Sequence, residues 1–395
     1  MTTSDGPLTG DAPNGGEPAG APAQRRWPRR TAVASGTVLL LVLVTTAAGG
    51  WYYADELLLV RPGPVERPVE IVAVDADTVT LAGEGADQPG LTGLEWDGGY
   101  ARLDAEVEEV EEGFRRRFTP YPDTPVAGLS ARVDFYAAPL GLAAVSDFAV
   151  EDVRYDGPLG AYPATYVPAD GSRRWVIHVH GRGGDRAEGF RLVPSIRALG
   201  HPQLSISYRN DADAPADPDG EFGLGWTESA DLAAAVGYAR DHGADDVVLV
   251  GYSMGGAVVG NYLRTEGGAA AAGVAGVIYD SPALSWPDIL AYQAQDRGLP
   301  SIGGALAAAM VRVRTGIRLG AMDQVAHADD LDVPVLLFHG SGDLTVPVTS
   351  SDAFAAARPD LVTYVRSDGV DHVQSWNHDP GAYESAVAEF LGKVP

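Results

Sequence analysis

The sequence predicts an α/β architecture, a mostly parallel sheet flanked by helices, and three observations lead there. From about Ala143 onward, short β-branched runs alternate with helical stretches. Most of those runs are apolar at nearly every position, as strands covered on both faces of a parallel sheet must be. One of them, "VVLVG" at 247–251, stops at a glycine, passes a single serine and resumes as a helical pattern.

The chain has 395 residues and 45% hydrophobic content, enough for one large core with appendages. Its formal net charge of -26 repels phosphates, so nucleic acid is excluded as a partner of the body of the chain. With no cysteine, structural disulfides, thiolate metal sites and a cysteine nucleophile are all excluded.

Taken in order, residues 1–30 read as a disordered tail, rich in Gly, Pro and Ala and ending in the basic "RRWPRR" with Arg25, Arg26, Arg29 and Arg30. Residues 31–54 follow without a charge, with "VLLLVLV" at the centre and "WYY" at 51–53, and Asp55 and Glu56 close the segment. That length and flanking charge predict a single membrane span or signal anchor, with the tail cytoplasmic and the rest of the chain outside. A cleaved export signal is the competing reading, because "TAA" at 46–48 resembles a cleavage site and would give a secreted protein.

Residues 61–140 change to Pro-bounded, alternating text and predict a small β-rich extension. "VEIVAVDADTVTL" reads as a hairpin, with Ile71, Val72, Val74, Val79 and Leu81 flanking an Asp-Ala-Asp turn. "LTGLEWDGGYARLD" and "AEVEEVEEGFRRRF" would complete it, the charge run lying on a solvated face. No repeat, zinc or calcium spacing, or phosphate-binding loop is present.

The main domain is placed at 143–395. Its strands are "RWVIHVHG", "QLSISYR", "DVVLVG", "GVIYDSP", "PVLLFHG" and "LVTYVRS". Between them "TESADLAAAVGYARDHG" reads as a helix with Thr227 as N-cap, and "GAYESAVAEFLGKV" closes the chain as an amphipathic helix.

Gly251-Tyr252-Ser253-Met254-Gly255 sits between an expected strand and an expected helix, the context in which a G-x-S-x-G match means a nucleophile. A serine needs a base within hydrogen-bond reach, and the base needs an acid. Asp343 in "HGSGDLTVP" and His372 in "VDHVQSW" each follow a strand, in the order Ser253, Asp343, His372. His378 is a second candidate base, and Asp280, Asp368 and Asp371 are further carboxylates after strands. His180 and His339 read as structural hydrogen-bonders at strand ends.

From about Ala143 to its end the chain resembles the α/β-hydrolases. "GYSMGG" is similar to their nucleophile elbow, "HGSGDLTVP" to the acid loop, "VDHVQSW" to the histidine loop and "HVHGRGGDR" to the oxyanion loop. The resemblance implies an oxyanion hole made by the backbone N–H groups of Met254 and Arg182, with Arg182 and Asp185 free to bridge each other by their side chains. It implies a two-step acyl transfer requiring no cofactor and no metal.

Residues 285–330, with Trp286, Tyr292 and "LPSIGGALAAAM", are longer than a plain crossover and form a candidate cap over a site for acyl chains. The acidic loop at 209–226 would rim the pocket and disfavour a strongly anionic substrate. The leading expectation is therefore hydrolysis of a small-molecule or lipid-like ester by a membrane-held enzyme. Acyl transfer, peptide cleavage and a non-catalytic tethered binding module are the alternatives.

Overall fold

A computed structural model describes residues 29–395, apart from 62, 64, 266–272 and 301. The chain divides into two units, Met1–Thr46 and Ala47–Pro395. The second contains two sheets of opposite character.

The first sheet is built from the extension: β1 (Val69–Val74), β2 (Thr78–Gly83), β3 (Thr92–Trp96), β4 (Gly99–Leu103), β5 (Glu108–Val110), β6 (Gly113–Pro120) and β7 (Ser130–Asp134). Its order is β2-β1-β7-β3-β4-β6-β5, all antiparallel, and β2 also pairs with β6. Six strands thus close into a barrel, which removes the exposed edges an open sheet would leave. The expected hairpin is β1–β2, and Ile71, Val79 and Leu81 point into the barrel core with Leu94, Trp96 and Phe118. Closure at the β2–β6 seam requires Gly113: its φ is +140°, and a Cβ there would lie 2.2 Å from the Leu81 carbonyl oxygen. The basic run is not wholly a solvated face. Arg115 and Arg117 are exposed, but Arg116 is buried and donates to the carbonyls of Gln88, Gly90 and Asp104.

The second sheet contains β8 (Glu151–Gly157), β9 (Gly160–Val167), β10 (Arg174–Val179), β11 (Gln203–Ile206), β12 (Asp246–Tyr252), β13 (Val274–Asp280), β14 (Val335–Gly340) and β15 (Val362–Ser367). The order is β8-β9-β11-β10-β12-β13-β14-β15. β8 and β9 are antiparallel additions that the sequence pattern did not reveal; from β11 to β15 every pair is parallel. The mostly parallel sheet that was expected therefore holds for this second sheet and not for the barrel. β12 shows why its residues are apolar throughout: Val247 and Leu249 pack into the core on one face, Val248 and Val250 into the core on the other. Thr227 precedes the helix Glu228–Asp241 as expected, but its hydroxyl bonds the Glu228 carboxylate and does not cap the helix.

After β10 the chain turns back to β11 on one side, then crosses to β12 on the other. The carboxyl ends of β10 and β12 thus border a switch point, where open α/β sheets bind ligands.

Arg29–Leu58 is one helix, yet among the described residues no helix is long and apolar enough to cross a membrane. The basic residues Arg25 and Arg26 lie outside the described residues. The end of the helix is held by protein. Ala54 and Leu58 are fully buried, Asp55 pairs with Arg314, Phe222 N donates to Leu58 O at 2.7 Å, and Leu59 bridges to Glu221. Tyr53, from the "WYY" at 51–53, lines a cavity beside Ser253.

Candidate active site

The turn between β12 and the helix Met254–Thr265 carries Ser253 with φ +49°, a left-handed conformation unusual for a residue with a side chain. It is held on both sides: Ser253 N donates to Asp280 O at 3.0 Å, and Ser253 O accepts from Gly256 N and Ala283 N, each at 2.9 Å. The glycine two positions on is compulsory, since a Cβ at Gly255 would lie 2.1 Å from the Val179 carbonyl oxygen of β10. The sharp turn leaves the serine hydroxyl reachable and puts Met254 at the helix start, where its N–H has no partner within the helix.

The structure brings together three of the residues singled out from the sequence. Ser253 Oγ donates to His372 Nε2 at 2.9 Å, and His372 Nδ1 donates to Asp343 Oδ2 at 2.6 Å. Asp343 is buried and its other oxygen accepts from Thr345 N and Val346 N, each at 2.8 Å. The His372 loop is pinned by Val373 N donating to Ser281 Oγ at 3.1 Å, and His372 N itself bonds Asp371.

The electrostatics follow from these contacts. Burial opposes ionisation of Asp343, but the bonds from His339 and His372 outweigh it, so its carboxyl titrates well below the usual carboxylate range. Burial likewise opposes the His372 imidazolium, and the Asp343 bond and charge overcome it, raising the pKa above the ordinary histidine value.

The other candidates fall elsewhere. His378 is exposed at the end of a short helix and makes no contact with Ser253. Asp280 is fully buried beneath the turn, 3.7 Å from Arg191 and bonded by Tyr383. Asp368 pairs with Arg366 on the surface, and Asp371 serves as a backbone acceptor. His180 bonds Asp211 at 2.8 Å, as a structural histidine should. His339 does more than was expected, since its Nε2 donates to the same Asp343 oxygen that His372 uses, at 3.0 Å.

In the loop after β10, Gly181 N is already taken by the Glu188 carboxylate at 2.7 Å, and the next residue, Arg182, lines the same cavity as Ser253. The expected bridge between Arg182 and Asp185 does not form. Asp185 caps Ala187 N, while the Arg182 guanidinium stacks over Phe222 and reaches Glu56 O. Glu188 was missed by the sequence reading, because nothing local marks a carboxylate in "GGDRAEGF" as the partner of a glycine seven residues earlier.

Above Ser253 lies a mainly apolar cavity of about 280 Å³. The cap is the helix pair Trp286–Asp296 and Ile302–Thr315, contributing Trp286, Ile289, Leu290 and Ala307. It is tied to the acid loop by Tyr292 bonding Asp343 O and by Gln293 bonding Leu344 O and Thr345 O. Tyr53, Glu56 and Leu57 of the N-terminal helix form another part of the wall. Arg314 on the cap joins the two walls through Asp55 and Glu221. Among the described residues no three histidines or carboxylates are grouped to hold a metal ion.

No family model matches the chain. It is similar to the uncharacterized protein YfhR of Salmonella typhimurium, 26% identical over 240 residues that cover 58% of this chain and 75% of the relative. The Escherichia coli YfhR is 24% identical over 231 residues, covering 58% of this chain and 74% of the relative. Among solved structures, the Pyrococcus furiosus esterase Pf2001 is similar with a TM-score of 0.49 and 19% identity, covering 62% of this chain and 93% of that one. A Rhodococcus esterase has a TM-score of 0.44 and 17% identity, covering 62% and 99%. An α/β serine hydrolase without a lid from Xanthomonas campestris has a TM-score of 0.43 and 17% identity, covering 62% and 97%.

Proposed function

We propose that the protein is a serine hydrolase that cleaves carboxylic esters through an acyl-enzyme. The observation that carries the reading is the unbroken relay from Ser253 through His372 to Asp343, set on a strained turn beside an apolar cavity. His372 takes the hydroxyl proton as Ser253 Oγ bonds to the substrate carbonyl carbon, and Asp343 stabilises the imidazolium without taking the proton. The N–H groups of Met254 and Arg182 receive the developing oxyanion, assisted by the helix N-terminus behind Met254. The alcohol leaves with the proton from His372, and water then attacks the acyl-enzyme by the same route in reverse. A binding module would have no use for a base and an acid aligned on one serine.

A fluorophosphonate probe applied to the full chain tests this. Wild type should gain one covalent adduct by intact mass and Ser253→Ala none. A folded wild type that stays unlabelled, or a labelled Ser253→Ala, would overturn the reading.

The acyl group belongs in the apolar cavity, whose wall includes Leu57 of the N-terminal helix. Leu57→Trp should fill part of that space and shift selectivity toward short chains, lowering kcat/KM for p-nitrophenyl octanoate relative to acetate by about tenfold, the scale of a methylene or two in such a pocket. An unchanged chain-length profile would remove the helix from the substrate site.

A further inference from the structure

The peptide joining Gly181 to Arg182 is gripped on its carbonyl side. Gly181 O accepts from His180 Nδ1 at 2.8 Å, from the Tyr208 hydroxyl at 3.0 Å and from Gly184 N at 3.2 Å. A trans peptide is planar, with its C=O and N–H pointing opposite ways, so fixing the Gly181 oxygen fixes the direction of Arg182 N–H. The same glycine abuts the nucleophile, since a Cβ on Gly181 would lie 3.0 Å from Ser253 Cβ.

A second bond sets the charge of the His180 ring. Its Nε2 lies 2.8 Å from Asp211 Oδ2, and the side chain is buried. A carbonyl oxygen and a carboxylate oxygen can only accept, so both ring nitrogens must carry hydrogen. A neutral imidazole has one N–H and would set a lone pair against one of the two oxygens. The ring is therefore an imidazolium. His178, two residues earlier on β10, shows the contrast. Its Nε2 donates to Gln203 Oε1 and its Nδ1 accepts from the Tyr252 hydroxyl, so one proton suffices, and burial pushes its pKa down to about 4.

Resting on the hydrolase reading above, in which Arg182 N–H receives the oxyanion, we infer that His180 is a positioning residue of the oxyanion hole: a charged ring, locked by Asp211, that aims and polarises the Gly181–Arg182 peptide. A donor on the carbonyl oxygen draws electron density from the peptide nitrogen, so the N–H at the other end becomes a stronger donor. That gain grows with the charge on the substrate oxygen, and so belongs to the transition state more than to the bound ester. The protein thus holds two His–Asp pairs with opposite requirements. His372 must be neutral to take the serine proton, and His180 must be charged.

The groups around the ring sustain that charge. Asp211 comes from the loop after β11, and Glu188, whose carboxylate holds Gly181 N, from the turn after β10. The Tyr208 ring stacks on the imidazolium with centroids 4.1 Å apart, an arrangement that favours a cation. Tyr136, from the segment after β7, brings its hydroxyl beside Gly184 next to Nδ1. Burial opposes the charge, but the bond and charge of Asp211, with the Gly181 carbonyl and Glu188, outweigh it and raise the pKa to about 9.

The test is the alkaline side of the pH profile, measured on the full chain with p-nitrophenyl butyrate. Activity should fall as pH rises through about 9, where His180 loses its second proton and one of its two bonds. Asp211→Asn keeps an acceptor for Nε2 but removes the charge, so its alkaline limb should move toward neutral pH. His180→Gln should lose that limb. Each variant should lower kcat about tenfold with KM nearly unchanged, since the oxyanion donor stays and only its polarisation is lost. Far-UV circular dichroism at each pH separates loss of activity from unfolding. A further measurement needs no variant: ¹⁵N spectra of the histidine rings should show one that carries both protons at neutral pH and loses one near pH 9. No such ring, or a fall in kcat with the alkaline limb unmoved, overturns the inference. Fluorophosphonate labelling separates the two failures: labelled Ser253 with an unmoved limb refutes only this inference, and unlabelled Ser253 removes the hydrolase reading as well.

Discussion

Ser253→Ala is expected to lower kcat for p-nitrophenyl butyrate by about 10⁴-fold or more, the loss that follows when a member of a serine relay is removed. The fold should persist. The substitution deletes one oxygen whose intramolecular bond is to His372, while the backbone bonds to Asp280, Gly256 and Ala283 that hold the turn remain. A net change of about 1 kcal/mol is the scale of one such hydrogen bond. The left-handed φ of +49° adds a finer expectation. Alanine keeps the strain and glycine relieves it, so Ser253→Gly should melt at a higher temperature than Ser253→Ala, with both inactive. Steady-state turnover and thermal melting of the three proteins check both parts. Retained activity in folded Ser253→Ala would dismiss the nucleophile, and equal melting of the two variants would dismiss the strain.

Asp343→Asn should cost about 10⁴-fold in kcat/KM and also move the pH profile, which separates its role from simple support of the loop. Only neutral His372 can accept the serine proton, so wild-type activity is lost as pH falls through the His372 pKa. That pKa is raised, because the Asp343 bond and charge outweigh burial, and the acid limb accordingly lies above the ordinary histidine value. Asparagine carries no charge, so burial is then opposed only by the charges of Glu188 and Asp280. The acid limb of the variant should then shift to lower pH while its plateau falls. The amide also faces two histidine N–H groups, from His372 and His339, where the carboxylate oxygen accepted both. A pH profile of kcat/KM from pH 5 to 9 measures both effects. An activity loss with an unmoved limb would mean that Asp343 only shapes the loop.

The readable parts of the site share one property: each is tied to the end of a strand whose own residues announce it. β12, β14 and β15 are short apolar or β-branched runs, so Ser253, Asp343 and His372 could be placed in one crevice from local pattern and chain order. The β1–β2 hairpin was legible for the same reason, as alternation on either side of a polar turn. The N-terminal helix shows what local pattern does not contain. An uncharged apolar run has the same text whether lipid or protein covers it, and the contacts that hold Ala54 and Leu58 come from 220–222 and from Arg314, far along the chain.

What the sequence determined alone is therefore the parallel sheet, the elbow and the order of the relay, because burial periodicity and turn chemistry are written within a few residues. Tertiary structure decided the rest. Closure of the barrel depends on β2 meeting β6. The cavity beside Ser253 depends on a helix end meeting the cap. Such groups become neighbours only when the core packs, and no single stretch of the sequence contains both sides of any of those contacts.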